Sequence, residues 1–182
     1  MNIVKERTIA AFKIYRCAYG PARDPNQACI RDPDDCVQLT PANGLTEFVD
    51  GPIPGGASAP SAPPLDFSLN MPDKYIWAVR VEDVVYALEN CPFGKTLNEH
   101  TIKHTNLTGG ASAFAGGELR FLEEGVLIVN GRSGRYPIRN DEEMRALGRA
   151  FLESGYHVWC MGFDFEAGVS YPLGTVDSDW LG

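Results

Sequence analysis

The sequence predicts an α+β domain: an antiparallel or mixed β-sheet with one main C-terminal helix packed on it. Three observations predict it. Short runs rich in β-branched and aromatic residues recur between residues 74 and 131, separated by turn-forming pairs. One segment, "NDEEMRALGRAFLESG" at 140–155, combines helical periodicity with start and stop signals. A further strand-like run, "YHVWCMGF" at 156–163, follows it. Strands, then a helix, then a strand place the helix against one face of a sheet. With 182 residues and 44% hydrophobic side chains, the chain can fill the core of a single domain.

The elements follow in order. "TIAAFKIYRCAY", residues 8–19, is rich in aromatic and β-branched residues and alternates in part, so it reads as a first strand. "GPARDPNQACIRDPDDC" at 20–36 breaks all periodicity, which makes residues 1–49 an N-terminal strand and irregular loop. Its acidic end lacks the spacing and glycine of a calcium loop and reads as a solvated turn. Residues 50–66, "DGPIPGGASAPSAPPLD", hold almost no large apolar side chain and cannot offset their ordering entropy. They read as a flexible Pro/Gly/Ala-rich loop or linker, or a lid over a site. Residues 67–182 form the α+β core, and the whole reads as a single domain.

Within that core, "KYIWAVRV" (74–81) and "VVYALE" (84–89) flank Glu82-Asp83 as two strands about a turn. "HTIKHTNL" at 100–107, with Thr101, Ile102 and Thr105, reads as a third strand. "GELRFLE" and "VLIVNG" flank Glu124-Gly125 as a hairpin. In the helix, Asn140 or Asp141 serves as cap and the acids of the first turn oppose the dipole. Met144, Leu147, Phe151 and Leu152 form its apolar stripe, and Gly155 stops it. The tail "DSDWLG" is loose or docks through Trp180.

Composition narrows the partners. A net charge of −8 and a pI near 4.8 argue against nonspecific nucleic-acid binding and against an anionic membrane. No apolar run approaches the ~20 residues of a spanning helix, and the N-terminus has no signal-peptide pattern. Five cysteines, an odd number without a secretion signal, predict reduced thiols in a cytoplasm and no structural disulfide. Cys17, Cys29 and Cys36 with a histidine fit no common zinc spacing, so no metal is expected.

The functional question centres on "KHTNLTGGASAFAGGELRF" (103–121) and "NGRSGRY" (130–136). Glycine pairs at 109–110 and 116–117 bring bare N–H groups near a ligand, although neither stretch has the order of a phosphate or dinucleotide loop. Taken alone, the same glycines read rather as a β-arch or bulge that needs positive φ. The polar neighbours favour a site. His104, Glu118 and Tyr136 are the candidate catalytic residues; Thr105, Gly109, Gly110, Gly117, Arg132, Ser133 and Arg135 are the candidate substrate-binding residues. If strands at 101–107, 117–123 and 126–130 are neighbours, residues 104, 118, 133, 135 and 136 converge on one concave surface. Taken singly, His104 is an ordinary strand histidine, Glu118 a solvent-facing charge, the arginines partners of surface acids, and Tyr136 a core anchor at the helix entrance.

On these residues the chain resembles two groups: a domain of plant proteins that carry a calmodulin-binding IQ motif, outside that motif, and C-terminal domains of some bacterial polymorphic toxins and effectors. The likeness rests on His104, Thr105, Gly109, Gly110, Gly117, Glu118, Ser133, Gly134, Tyr136 and Pro137, within about residues 100–155. Arg135 stands where the pattern has histidine, so chemistry that needs a second base there is not implied, and no IQ-like basic helix is present. The resemblance implies a soluble protein of bacterial or phage type. It carries no established activity.

Two functions follow. The first is a toxin- or effector-like enzyme acting on a nucleotide or NAD-like substrate by glycosidic transfer or hydrolysis. The arginines and glycine turns would take the phosphates, with no cofactor beyond NAD or another nucleotide as substrate. The second is a non-catalytic binding module, an immunity or adaptor protein, whose acidic surface meets a basic protein partner.

Overall fold

A computed structural model describes residues 4–52, 73–175 and 178–182. In chain order the elements are α1 (Glu6–Tyr19), β1 (Thr46–Glu47), β2 (Tyr75–Val79), β3 (Val84–Leu88), α2 (His104–Thr108), β4 (Ala115–Glu123), β5 (Val126–Val129), α3 (Asp141–Glu153), β6 (His157–Cys160), β7 (Phe163–Asp164), β8 (Val169–Ser170) and β9 (Asp179–Trp180). Seven strands form one sheet in the order β1-β3-β2-β4-β5-β6-β9, and β7 pairs with β8 separately. Every neighbouring pair in the large sheet is antiparallel except β5–β6. Parallel neighbours need a crossover, and α3 supplies it.

Strand alternation sorts the core onto two faces. Trp77, Val79, Leu119, Leu127, Val129 and Val158 point to the face covered by α1 and α3. Ile76, Ala78, Val85 and Ala87 point to the other, against Ile102 and Leu107. Farther along that second face, Ile128 and Trp159 pack with Met161 and Leu173. A buried tie joins the two long helices: the Tyr15 hydroxyl donates to Glu143 at 2.8 Å, and Glu143 also receives the Arg139 N–H at 2.7 Å.

The two predicted hairpins and α3 stand where the sequence placed them, and Asn140 caps α3 by accepting from the Glu143 N–H at 2.9 Å. Two expected strands are helices. Residues 8–19 belong to α1, whose buried positions Thr8, Ala11, Phe12 and Tyr15 follow helical spacing. Ile9 and Ile14, two of the β-branched residues of that stretch, are both exposed. The helix start has no local cap. Instead the Asp50 carboxylate accepts from the Arg7 and Thr8 N–H groups, at 3.1 and 2.8 Å, and from the Thr8 hydroxyl at 2.9 Å.

Residues 100–107 are likewise not a strand. They form a turn leading into the one-turn helix α2, all five residues of which are buried. Asn106 turns the chain by accepting from the Lys103 N–H at 2.7 Å and donates to the carbonyls of Asp34 and Val37 at 2.9 and 2.8 Å. Tertiary contact therefore overrides the β-branched composition.

Of the expected flexible segment at 50–66, residues 53–66 lie outside the described residues. Asp50 and Gly51 are built in: Asp50 caps α1, and the Gly51 N–H donates to Ser154 at 2.9 Å. Among the described residues no helix is long and apolar enough to cross a membrane. All five cysteines are free thiols. Trp180 docks the tail, 4.9 Å from Trp159 and 5.1 Å from His157 between ring centres.

Candidate functional site

The glycine pairs turn out to differ in kind. Gly109 and Gly110 have φ of 65° and 79° and end α2 in the left-handed region, which side chains resist. Gly116 and Gly117 lie within β4 without positive φ and are small for another reason. A Cβ on Gly116 would stand 2.7 Å from the His104 ring and 3.2 Å from the Ser133 hydroxyl. A Cβ on Gly117 would stand 2.0 Å from the Asn130 carbonyl and 2.6 Å from the Trp77 ring. The expected positive φ thus holds for the first pair, but at the end of a helix and not in a β-bulge, and close approach of side chains and backbone explains the second.

His104, the first residue of α2, lies over Gly116 on the sheet face opposite α1 and α3. Its Nε2 is 2.9 Å from the Gly117 carbonyl. A carbonyl only accepts, so Nε2 carries the proton and the neutral ring keeps its lone pair on Nδ1. Burial pushes the imidazole down to about 4, against the opposing pull of the Gly117 carbonyl and Glu118.

Glu118 points to the same face. Its carboxylate receives Lys74 Nζ at 3.0 Å and Asn130 Nδ2 at 2.8 Å. Lys74 also meets Glu89 at 2.9 Å. Burial opposes the lysine's charge, but the two carboxylates outweigh it and raise its pKa. Asn130, wholly buried, is the hub of this side. Its Oδ1 accepts from the Glu118 and Arg132 N–H groups at 2.8 and 3.1 Å, and its Nδ2 also donates to the Tyr171 carbonyl at 3.2 Å.

Tyr136 lies against the same helix α2. Its hydroxyl donates to the Ala111 carbonyl at 2.7 Å, so Thr108 Oγ1, also at 2.7 Å, must donate to it. The ring is buried, and burial raises the phenol pKa. These bonds brace the 109–111 turn. Ser133 Oγ accepts from the Tyr136 N–H at 3.0 Å, and the Gly116 N–H donates to the Tyr136 carbonyl at 3.0 Å. Thr105 is buried with its hydroxyl unpartnered.

Arg135 is anchored on the irregular segment that follows α1. It donates to the Cys29 carbonyl at 2.8 Å and reaches Asp35 at 3.3 Å. Burial of Asp35 opposes its charge, but the Arg31 N–H and Arg135 more than compensate and hold its carboxyl below the usual range. That segment also sets Cys29 against Gly134 and Cys36 against Gly110. Among the described residues no group of three His, Cys, Asp or Glu is placed to hold a metal ion.

Arg132 is the exposed arginine of the set. Its guanidinium makes one long contact, 3.5 Å to the Ser170 carbonyl, and meets no carboxylate among the described residues. It lines a cleft of about 180 Å³ between the 131–138 loop and β8, together with Ser133, Gly134, Ile138 and Val169. Ser170 fixes the far wall by accepting from the Gly131 N–H at 3.2 Å.

The structure therefore brings His104, Gly117, Glu118, Ser133 and Tyr136 together around α2 and the middle of β4. It puts Arg132 at an adjoining cleft and joins Arg135 to another segment. Sequence reasoning did not single out Lys74 as part of this group. The alternation Lys74, Ile76, Ala78 places it on the face of Glu118 once β2 and β4 are known to pair. Compared with known proteins, the chain matches no family model, no curated protein and no solved structure.

Proposed function

We propose that this chain takes a small phosphate-bearing molecule, of the nucleotide or NAD type, in the cleft beside Arg132. The observation that carries the reading is Arg132 itself: an exposed guanidinium without a carboxylate partner among the described residues, next to the Ser133 hydroxyl and a glycine loop. Guanidinium groups and glycine-loop N–H groups both suit phosphate oxygens, and a local field can oppose a net charge of −8. His104, neutral and adjacent to Ser133, is the candidate acid–base group for glycosidic transfer or hydrolysis, as in a toxin- or effector-like enzyme. Five free thiols support a cytoplasmic setting. The acidic surface supports neither nonspecific nucleic-acid binding nor attachment to an anionic membrane.

One observation favours a second reading, a non-catalytic immunity or adaptor module whose acidic surface meets a basic protein. Glu118, Tyr136 and Arg135 each have their polar groups engaged within the fold. Calorimetry against NAD, ATP and ADP-ribose, with product analysis, separates the two. Binding of at least one compound, weakened by roughly 1.5–3 kcal/mol in Arg132→Ala, supports the first reading, and turnover lost in His104→Gln makes it an enzyme. No binding at millimolar concentration sinks it in favour of the second.

A further inference from the structure

The face of the molecule formed by α1 and α3 is independent of that cleft. The helices run antiparallel, since Arg7 lies by Gly155 and Arg139 donates to the Tyr19 carbonyl at 3.1 Å. Between them runs a mostly apolar groove of about 210 Å³, lined by Ile14, Tyr15, Tyr19 and alanines of both helices. Ile14 stands on its edge 66% exposed. The other edge carries Arg149 and Glu153, one turn apart on α3 and both exposed. Neither forms an ion pair among the described residues, although a pair at this spacing can bridge within a helix.

We propose that this face binds a second copy of the chain through a twofold interface. A twofold contact must complement itself, and this one does so twice over. It offers a projecting apolar side chain, Ile14, beside a groove that can receive the same residue from the other copy. It also carries opposite charges at two neighbouring points of one edge. Antiparallel passage of α3 past its copy sets Arg149 against Glu153 of the second copy, and Glu153 against its Arg149. A partner of one net charge would match only half of that edge.

Size sets the strength. Helices of 14 and 13 residues are about 20 Å long at 1.5 Å per residue, and two lie side by side. At about 10 Å of diameter per helix the face covers roughly 20 by 20 Å, about half of the usual ~800 Å² per partner. Association is therefore weak and depends on concentration.

Sedimentation of the full chain from low micromolar to near-millimolar concentration tests this. The mass rises from 19.9 kDa toward twice that. Ile14→Lys and Arg149→Glu each weaken association by about tenfold or more: the first brings a charge into the apolar groove, and the second sets two acids against each other. The double reversal Arg149→Glu with Glu153→Arg restores it. Thermal melts identify any variant that unfolds, and all three positions are exposed enough for the chain to stay folded. A monomer at every concentration overturns the proposal. So does a dimer indifferent to these changes, or a double reversal that fails to restore it.

Discussion

Replacing Gly117 with alanine tests whether the glycine density of β4 serves packing or ligand approach. The added Cβ would sit 2.0 Å from the Asn130 carbonyl oxygen and 2.6 Å from the Trp77 ring. Real contacts of this kind are essentially never under 3.0 Å, so the β4–β5 backbone must part by about 1 Å (3.0 − 2.0 Å). Neither neighbour yields easily. Trp77 is fully buried, edge-on to Phe151 at 5.5 Å, and its indole N–H donates to the Glu118 carbonyl at 3.1 Å. Asn130 holds Glu118 by backbone and side chain, at 3.0 and 2.8 Å. Overpacking costs about 1–3 kcal/mol, and one or two weakened hydrogen bonds add about 1 kcal/mol each. The expected loss is about 2–5 kcal/mol, a large part of an ordinary domain's stability. Urea unfolding followed by tryptophan fluorescence measures it, with Gly134→Ala as control. There the nearest atom to a new Cβ is Cys29 Sγ at 3.4 Å, and the change stays within about 0.5 kcal/mol. A Gly117→Ala loss under about 1 kcal/mol would refute the packing argument.

Three further outcomes follow. His104 is neutral in the fold with its pKa pushed down to about 4, against 6.5 unfolded, so the unfolded chain binds the extra proton between those values. The stability it preserves is full above pH 6.5 and falls by about 3 kcal/mol as pH drops toward 4; urea midpoints in His104→Gln must fall less over that window. Asn130→Ala strands the Glu118 and Arg132 N–H groups and costs about 2–4 kcal/mol by the same denaturation. Alkylation followed by mass spectrometry should label exposed Cys17 first. Cys160, whose thiol burial pushes up to about 12, should react only after unfolding; early labelling of Cys160 would contradict its placement.

The sequence by itself determined the elements whose causes are local. The two hairpins pair short β-branched runs across two-residue turns, and α3 carries its own cap at Asn140, its own apolar stripe and its own stop at Gly155. Tertiary structure decided the rest. The start of α1 is capped by Asp50, 42 residues from Thr8, so no local signal marked it, and its exposed isoleucines imitated a strand. The turn of α2 is held by Asn106 bonds to residues 34 and 37, and its Thr and Ile content pointed the other way. The site followed the same division. Residue types at 104, 118, 133 and 136 named candidate donors and acceptors, because hydrogen-bonding capacity is a property of side chains. Pairing of β2 with β4 brought Lys74 to Glu118, β4 with β5 brought Asn130, and contact with residues 29 and 35 took Arg135 away from Arg132. Those are distances across the fold, set by strand register and by which face each side chain occupies, and a linear pattern does not contain them.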